Sequence, residues 1–151
     1  MPFDRLVHAV DAWAAARGRD DVLAQIGASE RPPRHVRHVR FLDPTAFERA
    51  YAEASLVVAH AGTGSILAAL ERGLPIVVMP RRASLRETRN DHQVATARRF
   101  AAIAGLAVAW DETELPTVLD RVQTGQSALR VGREASPRLI KALRTFIEGG
   151  S

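Results

Sequence analysis

The sequence predicts an α/β fold, a Rossmann-like parallel sheet with helices on both faces. Short apolar runs rich in valine, isoleucine and leucine alternate with segments of helical periodicity, and this alternation is typical of parallel sheets. In the middle of the chain, residues 56–80 predict a strand, a glycine loop, a helix, a turn and a second strand. This central unit is the βαβ arrangement from which doubly wound sheets are built.

Each predicted element follows from its periodicity and from the residues at its ends. Apolar residues at helical spacing predict the first helix, which Gly18 ends, and two short strands follow on either side of a proline-containing loop. Asp43 suits the N-cap of the next helix, and Pro44 suits its first turn. In order, the predicted elements are helix 3–17, strands 22–26 and 36–42, helix 43–54, strand 56–59, helix 65–72, strand 76–79, helix 90–104, strand 106–110, helix 114–122 and helix 137–147.

Glycine and proline mark the element ends in the second half of the chain. Gly73 ends the helix of the central unit as a C′ residue does, and Gly105 stops the helix that follows the next strand. Asp111 signals another helix, but Pro116 lies too far along it for a helix that starts there. We therefore expect the regular part of this helix to begin at residues 114–115.

The composition is that of one globular domain over residues 1–151. Cysteine is absent, which excludes disulfides and cysteine-ligated metals. The sequence has no apolar run of the roughly 18 residues that a transmembrane helix needs, and it lacks the basic leader of a signal peptide. We therefore expect a cytoplasmic protein.

The net charge is +4 and the sequence pI is about 10.8, with nearly all of the positive charge carried by arginine. Guanidinium groups suit phosphate and carboxylate ligands. Four arginines recur at every third position, but they cross from a proline loop into a strand and so alternate between faces: Arg31, Arg34, Arg37 and Arg40. Since they cannot form one basic stripe, we expect no nucleic-acid partner.

A glycine-rich loop lies at the centre of the chain, between the strand at 56–59 and the following helix. A loop of this kind binds anions in open α/β sheets, because small residues admit a phosphate to the backbone and the helix N-terminus stabilises its charge. The residues predicted to hold a phosphate are Gly62, Thr63, Gly64 and Ser65, with His60 just before them. The alternative is a tight turn that binds nothing, with His60 bonded to a loop carbonyl.

A second polar cluster opens the helix after the next strand, and comprises Asn90, Asp91, His92 and Gln93. An N-cap role explains Asn90 or Asp91 without any ligand, but it does not explain His92 and Gln93. Both clusters follow the carboxyl ends of neighbouring strands, where open sheets bind ligands. The five histidines show no metal-ligand spacing, so no metal site is predicted.

Together these motifs resemble the C-terminal domain of family 28 glycosyltransferases. The similarity rests on His-Ala-Gly-Thr-Gly-Ser at 60–65, Gly-Leu-Pro at 73–75 and Asn-Asp-His-Gln at 90–93. It spans about residues 2–122, with 123–151 as a helical extension. The sequence most resembles donor-binding subunits that are separate chains, of the Alg13 type and of the PssE/EpsE type. The PssE/EpsE-type subunits act in exopolysaccharide synthesis.

The resemblance implies the donor-binding half of a GT-B glycosyltransferase. It implies that the loop from Gly62 to Ser65 holds the diphosphate of a nucleoside-diphosphate sugar, expected to be a UDP-sugar. The cluster from Asn90 to Gln93 would then contact the donor sugar, and His60 would act at the reacting centre. No metal or other cofactor is implied. A membrane-associated subunit of the Alg14 or PssD type would supply the acceptor site for a lipid-linked or polysaccharide acceptor, which would hold this chain at the inner membrane face.

The sequence departs from the family pattern in three ways. Family members begin with a strand and a Gly-Thr loop, whereas this sequence begins after that point, so we expect the first strand to be lacking. Ala68 stands where the family commonly has a ribose-binding glutamate, and Glu71 lies one turn further on. The usual Asp-Asn order appears here as Asn90-Asp91. These departures leave open a non-catalytic scaffold of a membrane glycosyltransferase, and an epimerase half is a further alternative.

Overall fold

The computed structural model describes residues 2–104 and 106–124. Five α-helices and five short strands occur in this part of the chain in the order that the sequence predicts, and a 3₁₀ turn that was not predicted follows β4. They are α1 Asp4–Ala16, β1 Leu23–Gln25, β2 Arg37–Val39, α2 Pro44–Glu53, β3 Val57–His60, α3 Thr63–Glu71, β4 Ile76–Met79, a 3₁₀ turn Ala83–Leu85, α4 His92–Ala104, β5 Ala107–Val108 and α5 Leu115–Gln123. The predicted helix at 137–147 and the extension from 125 onward lie outside the described residues.

All of the strand pairs are parallel, so the predicted parallel α/β class is confirmed. β1 pairs with β2, and β4 pairs with β3 on one side and β5 on the other. Among the described residues, the strands thus form two hydrogen-bonded ladders rather than one continuous sheet. The two ladders are joined by apolar packing instead, because Val36 beside β2 belongs to the same core cluster as Val77 and Met79 of β4.

β4 is the centre of the core, since all four of its residues are fully buried. Alternate side chains point to opposite faces, as the pleat of a strand requires. Val77 and Met79 pack in a cluster with residues of α1 and α5, whereas Ile76 and Val78 pack with α3 and α4. The strand is therefore covered by helices on both faces, which explains its uninterrupted apolar sequence.

The N-terminal end of α1 lies against the carboxyl ends of strands from both ladders. The Ser29 hydroxyl, just beyond β1, donates a hydrogen bond of 2.5 Å to Asp4 Oδ1. Arg5 Nη2 donates one of 3.2 Å to the carbonyl of Pro80, just beyond β4. The loops that follow β1 and β4 therefore lie together at the N-terminal end of α1, at the edge formed by the carboxyl ends of these strands. Open parallel sheets bind their ligands at this edge.

The predicted starts of α2 and α5 are confirmed, whereas α4 begins at His92, two residues later than predicted. The Asp43 carboxylate accepts the N–H of Ala46 at 2.8 Å, with Pro44 as the first helical residue. α5 begins at Leu115 with Pro116 in its first turn, as the position of that proline predicts.

Three strands are shorter than predicted, β1 by one residue at each end and β2 and β5 mainly at their carboxyl ends. β2 ends at Val39. The Arg40 carbonyl still accepts the N–H of Gly27 at 2.8 Å, but beyond it the Leu42 N–H donates to the Gln25 side chain instead of a backbone carbonyl. β5 ends at Val108 rather than at residue 110. The N–H of Trp110 instead donates to the Glu114 carboxylate at 2.8 Å.

Candidate functional site

The first predicted cluster lies where β3 passes into α3. His60 is the last residue of β3, and α3 begins at Thr63 with Gly62 as its N-cap, two residues earlier than predicted. Within the described residues, no side chain caps the N-terminus of α3, and its first turn contains no acidic residue. The backbone N–H groups of this turn have no partner within the helix and carry the positive end of its dipole. This end of α3 is therefore suited to bind an anion.

The two glycines of the loop have different surroundings. A Cβ on Gly62 would lie 2.2 Å from Cε1 of His60, so the imidazole ring folds back over the backbone where only glycine leaves room for it. A Cβ on Gly64 would meet no described atom within 4 Å. Gly62 is thus explained by the position of His60, whereas the space above Gly64 is open to a ligand.

His60 is also bound to the second predicted cluster, through Gln93. Gln93 is 6% exposed, and its Nε2 lies 3.0 Å from Nδ1 of His60. Its Oε1 accepts the backbone N–H of Arg81 at 3.1 Å. On the other side of the ring, Ser65 Oγ lies 3.4 Å from Nε2 of His60. The structure therefore brings His60 of the first predicted cluster into contact with Gln93 of the second.

The surroundings of His60 favour its neutral form. Burial is the largest cause that lowers the pKa of His60, and the positive charge of Arg81 lowers it further. His60 therefore enters this site as a neutral ring with one N–H donor and one acceptor.

The other three residues of the second cluster are exposed and partly used by the protein itself. Asn90 Oδ1 accepts the N–H of His92 at 3.0 Å and also contacts Nδ1 of that ring. Asp91 Oδ1 accepts the N–H of Ala83 at 2.9 Å, and its carbonyl accepts the N–H of Val94. These contacts order the start of α4. They do not join Asn90, Asp91 or His92 to the contacts around His60.

The loop after β4 is held by a pair that the sequence analysis missed. Arg5 on α1 donates two hydrogen bonds to the Glu87 carboxylate, at 2.9 and 3.0 Å, and a third to Glu112 at 2.8 Å. The side chains of Arg5 and Glu87 are only 14% and 10% exposed. Because the two residues are 82 positions apart, no local pattern could have indicated their contact.

Arg81 in the same loop places a partly buried positive charge near His60. Its Nη1 donates to the carbonyls of Pro2 and Glu87 at 3.3 and 3.2 Å, and its guanidinium lies 4.7 Å from the ring centre of Phe3. Burial lowers the pKa of Arg81, but an arginine remains charged at neutral pH. The charge adds to the positive potential at this edge of the sheet.

Two kinds of feature are absent from the described ranges, 2–104 and 106–124. They contain no group of three or more histidine, aspartate or glutamate side chains that could hold a metal ion. Their helices are also too short, or not apolar enough, to cross a bilayer.

The chain has parallel strands with flanking helices, and an uncapped helix start beside a glycine loop. These features define a Rossmann-like domain of the kind found in GT-B enzymes. The sequence matches the family described as "Glycosyltransferase family 28 C-terminal domain" over residues 2–142. The chain therefore belongs to this family. The resemblance stated from the motifs is confirmed, and the match extends beyond residue 122.

A curated relative and two solved structures are similar to parts of this chain. The "UDP-N-acetylglucosamine transferase subunit ALG13" of Eremothecium gossypii is 46% identical over 69 residues, which are 45% of this chain and 32% of that protein. The crystal structure of MurG from Acinetobacter baumannii has a TM-score of 0.61 at 19% identity, covering 99% of this chain and 47% of MurG. Spinosyn forosaminyltransferase SpnP has a TM-score of 0.61 at 17% identity, covering 97% of this chain and 36% of SpnP.

The similarity to the two solved structures shows a shared fold. The chain spans about a third of the curated relative and less than half of each structural neighbour.

Proposed function

We propose that this domain binds a UDP-sugar and is the donor-binding subunit of a glycosyltransferase. The observation that carries the proposal is the loop at the start of α3, where uncapped N–H groups, the open space above Gly64 and the neutral His60 ring adjoin one another. The name of the Eremothecium relative, a UDP-N-acetylglucosamine transferase subunit, supports uridine as the nucleoside.

The loop would hold the diphosphate of the donor. The N–H groups of Thr63, Gly64 and Ser65 would bind phosphate oxygens, and the Ser65 hydroxyl could donate one more hydrogen bond. As the bond between the sugar and the diphosphate breaks, negative charge builds up on the leaving UDP. A helix dipole and preorganised N–H donors stabilise that charge without needing a metal ion.

The residues around His60 would act on the reacting end of the donor. The His60 ring lies next to the loop, so its free N–H can reach the diphosphate or a sugar hydroxyl. Asn90, Asp91 and His92 are exposed at the start of α4 and remain candidates for contacts with the sugar hydroxyls. Gln93 is different, because both ends of its amide already have protein partners.

The acceptor would be bound elsewhere. We propose that a membrane-associated partner subunit binds a lipid-linked or polysaccharide acceptor and supplies the general base, with transfer in the cleft between the two chains. Residence at the cytoplasmic face of the membrane would then come from that partner. Exopolysaccharide synthesis is one pathway in which such a pair would act.

A scaffold that binds no donor is the second candidate, and Ala68 is the observation that favours it. No ribose-binding carboxylate stands at this position of α3, and the Ala68 carbonyl accepts a hydrogen bond of 2.9 Å from Arg72. Gly64→Val separates the two functions, since a β-branched side chain would fill the open space above the loop. Loss of sugar transfer with the partner still bound supports the donor subunit, whereas unchanged transfer supports the scaffold.

Donor binding is tested by isothermal titration of UDP and UDP-N-acetylglucosamine into the 151-residue chain. We expect saturable binding with a Kd in the micromolar to millimolar range, about −4 to −8 kcal/mol. The absence of any heat of binding with both ligands at millimolar concentration would refute the proposal.

A further inference from the structure

The two hydrogen bonds of Gln93 fix the orientation of its amide group. The backbone N–H of Arg81 can only donate, so the atom of Gln93 that faces it at 3.1 Å must be the oxygen. The amide nitrogen therefore faces His60. The side chain is 6% exposed, so water is not available to compensate for the opposite orientation.

This orientation determines which nitrogen of His60 carries the proton. The Gln93 amide nitrogen can only donate, and it lies 3.0 Å from Nδ1 of His60. Nδ1 must then be the acceptor, because a proton on it would place two donors face to face. A neutral ring with an acceptor at Nδ1 carries its proton at Nε2.

The proton at Nε2 faces the glycine loop. Nε2 lies 3.4 Å from Ser65 Oγ, which is longer than a normal hydrogen bond, so its N–H faces the loop and is available to an anion bound there. The N–H donors of Arg81, Gln93 and His60 therefore form a chain, in which each faces the next residue and the last faces the start of α3. Hydrogen bonds aligned in a chain strengthen one another, and here each directs its positive end toward the loop.

We propose that Gln93 is a positioning residue that holds His60 in its Nε2–H tautomer, so that the ring presents a donor to an anion at the glycine loop. The inference rests on the proposed function for the identity of that anion, the donor diphosphate. It gives Gln93 a role other than the sugar contact that the sequence resemblance implies. His60 would touch the ligand, and Gln93 would act through His60.

The tautomer is measured directly in the ligand-free protein. In a ¹⁵N–¹H correlation spectrum of the histidine rings, at a pH where His60 is neutral, we expect Nδ1 of His60 to have the shift of an unprotonated nitrogen. Nε2 should have the shift of a protonated one. The signals are assigned by their loss in His60→Gln. A protonated Nδ1 in the neutral ring of the wild-type protein overturns the proposal.

Gln93→Glu tests the cause with a side chain of nearly the same shape. A carboxylate can accept from Arg81 N–H but cannot donate to Nδ1, so we expect Nδ1 to become protonated. The matched control is Gln25→Glu, because Gln25 Oε1 also accepts a backbone N–H, from Leu42 at 2.8 Å, and within ranges 2–104 and 106–124 Gln25 makes no hydrogen bond to an imidazole. His60 should be unchanged in the control. An unprotonated Nδ1 in folded Gln93→Glu contradicts the proposal.

Gln93→Met extends the test to binding and does not bury a charge. It removes the donor to Nδ1 while keeping much of the volume, so both tautomers should be populated and the affinity for UDP should fall about twofold, in proportion to the rings that leave the Nε2–H form. Equal affinity in wild type and Gln93→Met overturns the positioning role. If the wild-type protein binds no UDP, the proposed function fails, and the tautomer in the ligand-free protein still decides whether Gln93 positions His60.

Discussion

The His60 ring and the Gly62 backbone are packed so closely that one excludes a side chain on the other, since a Cβ on Gly62 would lie 2.2 Å from the His60 Cε1. This contact fixes the histidine over the glycine loop while its Nδ1 is bound by Gln93. The ring is thus restrained on two sides at the start of α3. The arrangement distinguishes the two loop glycines, which look equivalent in sequence.

Gly62→Ala and Gly64→Ala should therefore have opposite effects on stability. The new methyl group at Gly62 must displace the imidazole and break its bond with Gln93, and we expect a loss of about 1–3 kcal/mol. At Gly64 the methyl group meets open space in a helical backbone, so we expect a gain of about 0.5–1 kcal/mol. Urea unfolding of the two variants and the wild type measures both. Equal destabilisation by both alanines would contradict the described loop.

The stability of the protein should depend on pH through His60. Its folded pKa is lowered, chiefly by burial, so below the ordinary value of about 6.5 the unfolded chain binds a proton that the folded chain does not. The contribution of neutral His60 to the free energy of unfolding is therefore present above about pH 6.5 and is lost as the pH falls through the folded pKa.

Urea unfolding between about pH 8 and pH 5 tests this dependence. His60→Asn should lose less stability over that range than the wild type does, because the asparagine does not titrate. Parallel curves for the two proteins would show that His60 is not held in its neutral form.

The Arg5–Glu87 pair should contribute strongly to stability because both side chains are nearly buried. Glu87→Gln removes the charge but keeps the shape, and we expect a loss of about 2 kcal/mol, the range for a hydrogen bond to a charged group. The matched control is Asp21→Asn, in an exposed pair with Arg19, where solvent screens the charges and the loss should be much smaller. Thermal unfolding of both variants checks the difference, and a larger loss in Asp21→Asn would contradict it.

Phe41 should contribute to nucleotide binding rather than to folding. Its ring is 73% exposed just beyond β2, beside Gly27, at the edge where the other strands end. An exposed ring offers a face on which a base can stack, a contact worth about 1–3 kcal/mol. We expect Phe41→Ala to weaken UDP binding about tenfold or more and to leave the midpoint of thermal unfolding nearly unchanged.

The control for Phe41 is Leu23→Ala, which removes another exposed apolar side chain at the opposite, amino end of β1. Its affinity for UDP should match that of the wild type. Equal weakening by both substitutions would mean that Phe41 acts through general surface effects and not through the base.

Local sequence signals predicted most of the fold because they depend on neighbouring residues. The run Ile76–Met79 is a strand with the predicted bounds, and Asp43 caps α2 as expected. The predicted ends of β2 and β5 were wrong because the N–H groups of Leu42 and Trp110 donate to side chains, those of Gln25 and Glu114, instead of to a neighbouring strand. Contacts of this kind leave no periodic trace in the chain.

The candidate site was predicted as two clusters, and only the structure joins them. The sequence showed that helix capping does not explain Gln93. Its contact with His60, however, spans 33 positions and depends on how α4 packs against β3. The direction of the Gln93 amide depends further on the Arg81 backbone. A pattern of residue types can therefore nominate these side chains, whereas the hydrogen bonds that orient them come from tertiary structure.

The most direct test of the central claim is the affinity of the chain for UDP compared with UMP, measured by titration in the presence of EDTA for the wild type and Gly64→Val. A diphosphate held by the N–H groups at the start of α3 predicts at least about tenfold tighter binding of UDP than of UMP, without added metal. It also predicts that Gly64→Val removes this preference while the protein stays folded. Equal affinities for UDP and UMP in the wild type, or an undiminished preference for UDP in Gly64→Val, would contradict the claim that this loop binds the donor diphosphate.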